Sequence, residues 1–87
     1  MNWNVEDVMG EIEHEVVWAK ELYPSFHSFH ERYAVLLEEV DELWDSIKAN
    51  DISNMYIEAI QVAAMAIRFL TDCAEYKHEY RLPETIT

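Results

Sequence analysis

Five carboxylates crowd into eight positions of this sequence: Glu38, Glu39, Asp41, Glu42 and Asp45. On a helix, Glu39 and Glu42 project from the same side, beside an apolar stripe rather than opposite it. Glu38 and Asp45 lie further round, and Asp41 flanks the other edge. Like charges at this spacing repel by roughly a few tenths of a kcal/mol in water, and by more once desolvated. A further acid, Glu58, stands in an otherwise apolar segment, where an unpaired carboxylate is costly unless it is neutralised or coordinated. Gln61 follows three residues later. If the two segments pack antiparallel, Glu39 and Glu42 face Glu58 and Gln61. Three carboxylates and an amide oxygen around one point suit a hard divalent cation, Mg²⁺ or Mn²⁺. The same residues also allow a solvated acidic face, common on helices, with Glu58 paired to Arg68 or another cation.

The elements that must position these groups are helices. One glycine and two prolines in 87 residues leave little punctuation, so the elements are few and long. The first helix is expected from Val5 to Tyr23, capped by Asn4, with Glu6 and Asp7 in its positive first turn. Val5, Val8, Met9, Ile12, Val16 and Ala19 recur at helical spacing as its core stripe. Gly10 inside it either allows a close helix approach or weakens the helix to no purpose. Pro24 ends the element.

The second helix starts at Ser28, where Ser28-Phe29-His30-Glu31 has the form of a capping box. Its expected core stripe is Tyr33, Leu36, Leu37, Val40, Leu43, Trp44 and Ile47, and Ala49-Asn50-Asp51 makes the turn. The third helix is expected from Ser53 to Tyr80, with Pro83 beyond. Its middle, AIQVAAMAIRFL, is apolar on most sides, as befits a helix packed by neighbours all round. One polar line crosses it, through Glu58, Gln61, Arg68 and Asp72, with Met65 between. No strand-like alternation and no repeat is present. The fold class is therefore all-α, a single domain over residues 1–87 built as a three-helix antiparallel unit.

Composition narrows the function further. Half of the residues are hydrophobic (51%), more than a lone three-helix unit can readily hide, so assembly into a dimeric or tetrameric bundle is expected. A formal net charge of −12 argues against a nucleic-acid polymer as partner, because there is no basic footprint. An anionic small molecule would need cations to bridge it to the carboxylates. No signal peptide opens the chain and no apolar run is long enough for a membrane span, so a cytoplasmic location is expected. Cys73 lacks an intrachain partner and is read as a buried thiol. Glu11/His14 and Glu75/His78 have the i, i+3 spacing of di-iron carboxylate bundles, but they fall at helix ends and polar faces, where chance pairing explains them better. His27 and His30 flank a helix start and read as exposed loop histidines.

Leu37-Glu38-Glu39-Val40-Asp41-Glu42-Leu43, followed by Glu58-Ala59-Ile60-Gln61, resembles the all-α nucleoside triphosphate pyrophosphohydrolases of the MazG type, whose pattern is Glu-Glu-x-x-Glu and then Glu-x-x-Asp. The resemblance covers residues 29–72. It implies a Mg²⁺- or Mn²⁺-dependent enzyme that splits a (d)NTP into (d)NMP and pyrophosphate, working as a homodimer or homotetramer. Glu39, Glu42, Glu58 and Gln61 would hold metal, and Glu38 would be a further ligand or orient the attacking water. Lys48 and Arg68 are candidates for phosphate contacts. Gln61 stands where the family has Asp, removing one negative charge. The alternative implied is a MazG-like helical interaction protein with weak or lost catalysis.

Overall fold

The computed structural model describes residues 3–72. Three helices make up the chain there: α1 (Val5–Leu22), α2 (Phe29–Lys48) and α3 (Ile52–Thr71). Among the described residues there is no extended strand. The all-α, three-helix expectation holds.

Each helix begins where its side chains can satisfy the free backbone N–H groups. Asn4 Oδ1 accepts the amide of Asp7 at 2.8 Å, and Asp51 Oδ1 accepts that of Asn54 at 3.2 Å. Ser28 Oγ accepts the Glu31 amide at 3.0 Å, as expected, but the reciprocal bond is shifted by one residue. Glu31 Oε1 takes the amide of His27, not that of Ser28, also at 3.0 Å. The bond secures the loop as well as the helix.

The turn between α2 and α3 is equally determined. Asn50 adopts φ 59°, the left-handed region that asparagine tolerates better than most residues. Its amide bonds to the Ile47 carbonyl at 3.1 Å, and the Asp51 amide reaches Ser46 at 3.0 Å. This is the paired closure of a Schellman motif, and Asp51 then caps the next helix without a spare residue.

The helix order is up, down, up, with α3 in the middle. α3 packs along both α1 and α2, while α1 and α2 do not pack on each other. Trp3 meets Tyr56 at one end of the α1–α3 pair, with ring centroids 5.4 Å apart, and Lys20 reaches Asp72 at the other. The α1–α2 loop hooks over the end of α3, where the Phe26 amide donates to the Asp72 carbonyl at 2.8 Å. α3 therefore stops at Thr71, short of the expected Tyr80, because Asp72 leaves helical geometry to meet the loop. The rest of that expectation, with Cys73, Glu75, His78 and Pro83, lies outside the described residues.

The core is thin. Ile12, Val16 and Ala64 form its buried centre, with Val8, Ile60, Ala63 and Ile67 packed around it. Two expected stripes are only partly inside. Val5 and Met9 of α1 are exposed, since α3 covers just the Ile12–Val16–Ala19 line. On α2 the departure is larger: Tyr33, Leu37, Val40, Trp44 and Ile47 all face outward. The side of α2 that meets α3 is instead marked by buried Arg32 and Ser46. Gly10 is exposed and a Cβ built there would meet nothing within 4 Å, so none of the described helices approaches it closely.

Candidate metal centre and the adjoining cleft

Antiparallel pairing of α2 and α3 sets Glu39 and Glu42 against Glu58. One carboxylate oxygen from each lies within 4.8 Å of the others. Glu39 and Glu58 are half-buried, and Glu42 is exposed at the rim. Glu39 Oε2 and Glu58 Oε2 are shielded from solvent and make no hydrogen bond. Shielded oxygens without partners are costly, more so when anionic.

The electrostatics record the same crowding. Burial pushes the Glu39 carboxyl above its ordinary value, and the charges of Glu42, Glu58, Glu38 and Glu15 push it further. Burial also raises Glu58, helped by the charge of Glu42 and a hydrogen bond to its carboxyl. Glu58 makes no pair with Arg68. The expected alternative of a Glu58–Arg68 ion pair is thereby removed, because Arg68 is committed elsewhere.

Arg68 Nε donates to Asp72 Oδ2 at 2.7 Å, with both side chains buried. Its guanidinium lies 4.7 Å from the Phe26 ring centroid and Nη2 reaches the Pro24 carbonyl at 3.4 Å. Lys20 Nζ approaches Asp72 Oδ1 at 3.1 Å, and the Thr71 hydroxyl donates to the same oxygen at 3.0 Å. Burial alone would raise the Asp72 carboxyl, but these partners together hold it below its ordinary value.

The polar line of α3 opens into a cleft of about 490 Å³. Gln61, Met65 and Arg68 form its floor with Glu39, and Glu15, Trp18, Tyr23, Phe26 and His27 close its sides from α1 and the loop. Gln61 thus stands beside Glu39, facing the cleft, while the three-carboxylate group sits next to it. Glu38 is exposed and outside that group, although Glu39 feels its charge. Lys48 pairs with Asp45 at 3.5 Å, lies 5.6 Å from the Trp44 ring centroid, and does not line the cleft. Tyr33 and Trp44, expected in the core, are exposed and do not line it either.

Sequence reasoning missed Glu15 and the Trp18, Tyr23, Phe26 and His27 wall. The signal available was a run of aromatics just ahead of a well-capped helix, in WAKELYPSFH. Their convergence depends on how the loop folds back over α3, which periodicity does not encode.

Fold and site together define a class: a three-helix, all-α protein with a carboxylate triad between two antiparallel helices and an aromatic cleft beside it. Compared with known proteins, the chain matches no family model, no curated protein and no solved structure.

Proposed function

We propose that the chain is a metal-dependent nucleoside triphosphate pyrophosphohydrolase of MazG-like type. The observation that carries it is the group formed by Glu39, Glu42 and Glu58, each with one carboxylate oxygen within 4.8 Å of the others, in which Glu39 and Glu58 each also have a shielded oxygen without a hydrogen-bond partner. Such a donor set fits a small, hard dication: all oxygen, all anionic when deprotonated, and costly as it stands. A bound Mg²⁺ or Mn²⁺ would supply charge neutralisation and activation of water for attack on phosphorus. Glu39, Glu42 and Glu58 would hold it, with Gln61 offering a neutral oxygen from the same side of α3.

The chain's own groups then divide the work. Glu38, exposed and next to Glu39 in the chain, would orient the attacking water or serve as a further ligand. The cleft next to Glu39 has a volume in the usual range for small-ligand pockets. Trp18 and Tyr23 would offer it ring faces for a base, whereas Arg68, paired with Asp72 and stacked on Phe26, would bring no free positive charge to phosphate. Lys48, held by Asp45 away from the cleft, has no part in this scheme.

The working form is proposed to be a homodimer or homotetramer. No large side chain among the described residues is fully buried, and sixteen large hydrophobics are exposed. A protomer with so open a core gains by covering part of that surface.

The experiment is pyrophosphate release from a panel of common and modified (d)NTPs with Mg²⁺ and Mn²⁺. Activity that Glu58→Gln and Glu39→Gln each lower at least tenfold is expected. No release from any substrate with either metal would reject the hydrolase. Gln61, neutral where the MazG-type pattern is acidic, favours the second reading in that case: a helical interaction protein with no turnover.

A further inference from the structure

We propose that the outward face of α2 is the seam of a homodimer, in which the α2 helices of two copies pair antiparallel. This gives a surface to the association proposed above and is independent of the hydrolysis.

The face is ordered. Tyr33, Leu37, Val40, Trp44 and Ile47 follow one another at alternating intervals of four and three residues, the spacing of a coiled-coil seam. All five are exposed, Tyr33 at 60% and Trp44 at 55%. The opposite side of the same helix is already used, through Arg32 and Ser46, against α3. Among the described residues α2 therefore has two apolar-bearing faces and one neighbouring helix, since α1 does not pack on it.

Area and charge select the occupant. The five exposed side chains present on the order of 500 Å² per copy, so a pair would bury roughly 1,000 Å², the lower bound for a specific interface. Residues 38–48 hold five carboxylates and one lysine, whereas residues 29–37 hold one carboxylate and one histidine, besides Arg32, which is buried against α3. A parallel pair would set the two acid-rich halves side by side. An antiparallel pair sets each acid-rich half against the start of the other helix, where the free N–H groups carry positive potential. The distribution on α2 thus complements its own reverse. A two-fold axis near Leu37 and Val40 would place Tyr33 opposite Trp44 of the second copy, an isologous contact that closes on itself.

The test combines oligomeric state with directed cross-linking in the full-length chain. Sedimentation velocity of the wild type at micromolar concentration is expected to show a dimer, or a tetramer built from it. Leu37→Asp and Trp44→Glu should each weaken association by about tenfold or more, with helical circular dichroism unchanged because both positions are exposed in the protomer. Val17→Glu, on the exposed side of α1, should leave α2 pairing intact. In a Cys73→Ser background, Val40→Cys should cross-link to itself through a short linker. Tyr33→Cys and Ile47→Cys should fail alone and cross-link when mixed. A monomeric wild type, a dimer indifferent to Leu37→Asp, or an apolar segment of another protein displacing nothing but binding a stable monomer there would each overturn the proposal. Self-linking of both Tyr33→Cys and Ile47→Cys would show a parallel pair and overturn it too. A dimer that releases no pyrophosphate would sink the hydrolase alone.

Discussion

Glu58 illustrates how one residue couples stability to binding. Its carboxyl and that of Glu39 sit above their ordinary value of 4.5, so the folded chain holds protons there that the unfolded chain has released. By linkage, stability falls as pH rises from 4.5 through the raised values, because deprotonation is then more favourable in the unfolded state. Asp72 behaves in the opposite sense. Its carboxyl lies below the ordinary 3.8, and its stabilisation is lost as pH falls through that lowered value. Metal-free protein should therefore lose melting temperature from mildly acidic to neutral pH, and Glu58→Gln should flatten that loss. Mn²⁺ should raise the melting temperature most at neutral pH, and Glu58→Ala should abolish the increment. An equal Mn²⁺ shift in Glu58→Ala would place any binding elsewhere. A simpler residue-scale expectation concerns Gly10. It sits in an exposed helix interior with free space around it, so Gly10→Ala should stabilise the fold by about 0.5–1 kcal/mol in urea titration.

At the scale of elements, the α2–α3 connection decides whether the carboxylates meet. Asn50 in the left-handed region and Asp51 as the following cap let the chain reverse over two residues. The reversal brings Glu42 back against Glu58 rather than a turn away. Asn50→Gly should be tolerated, while Asn50→Val should cost roughly 1–2 kcal/mol, since a β-branched side chain resists positive φ. Denaturant unfolding of the two variants measures the difference. A value near zero for Asn50→Val would mean that the turn adapts. The same variant should weaken the Mn²⁺-dependent rise in melting temperature, because register across α2 and α3 sets the spacing of the three oxygens.

For the whole molecule, the end of α3 is the tie point. Asp72 receives Arg68 from its own helix and Lys20 from α1, and its carbonyl takes the Phe26 amide from the loop. This knot holds the loop over α3 and so forms the aromatic wall of the cleft. Asp72→Ala would leave the Arg68 guanidinium buried and uncompensated, a change that typically costs about 3–5 kcal/mol. Thermal unfolding should show it as the most damaging single polar substitution in this region. An effect no larger than that of an exposed ion pair would show that the knot relaxes or that water replaces it. The thin core has a related consequence. With Ile12, Val16 and Ala64 at its centre and the seam residues of α2 outside, the protomer's stability is expected to rise with protein concentration.

Much of this was legible in the residues. Helix-compatible spacing, sparse breakers and the cap signals of Asn4 and Ser28 are local properties, and local physics alone located three helices and the starts of the first two, while Asp51, read as part of the turn, proves to cap the third. The meeting of Glu39, Glu42 and Glu58 followed from one further step, since a short turn forces adjacent helices to run antiparallel. Periodicity was mute on which of two apolar strips a helix turns inward. Tyr33, Leu37, Val40, Trp44 and Ile47 read as core but face outward, because α3 lies between α1 and α2 and leaves α2 one neighbour among the described helices. Only the tertiary structure decided that arrangement, and with it the end of α3 at Thr71, the Lys20–Asp72 contact and the aromatic cleft. Each depends on contacts between residues far apart in the chain, whose geometry is set by how whole helices pack and not by the order of residues within any one of them.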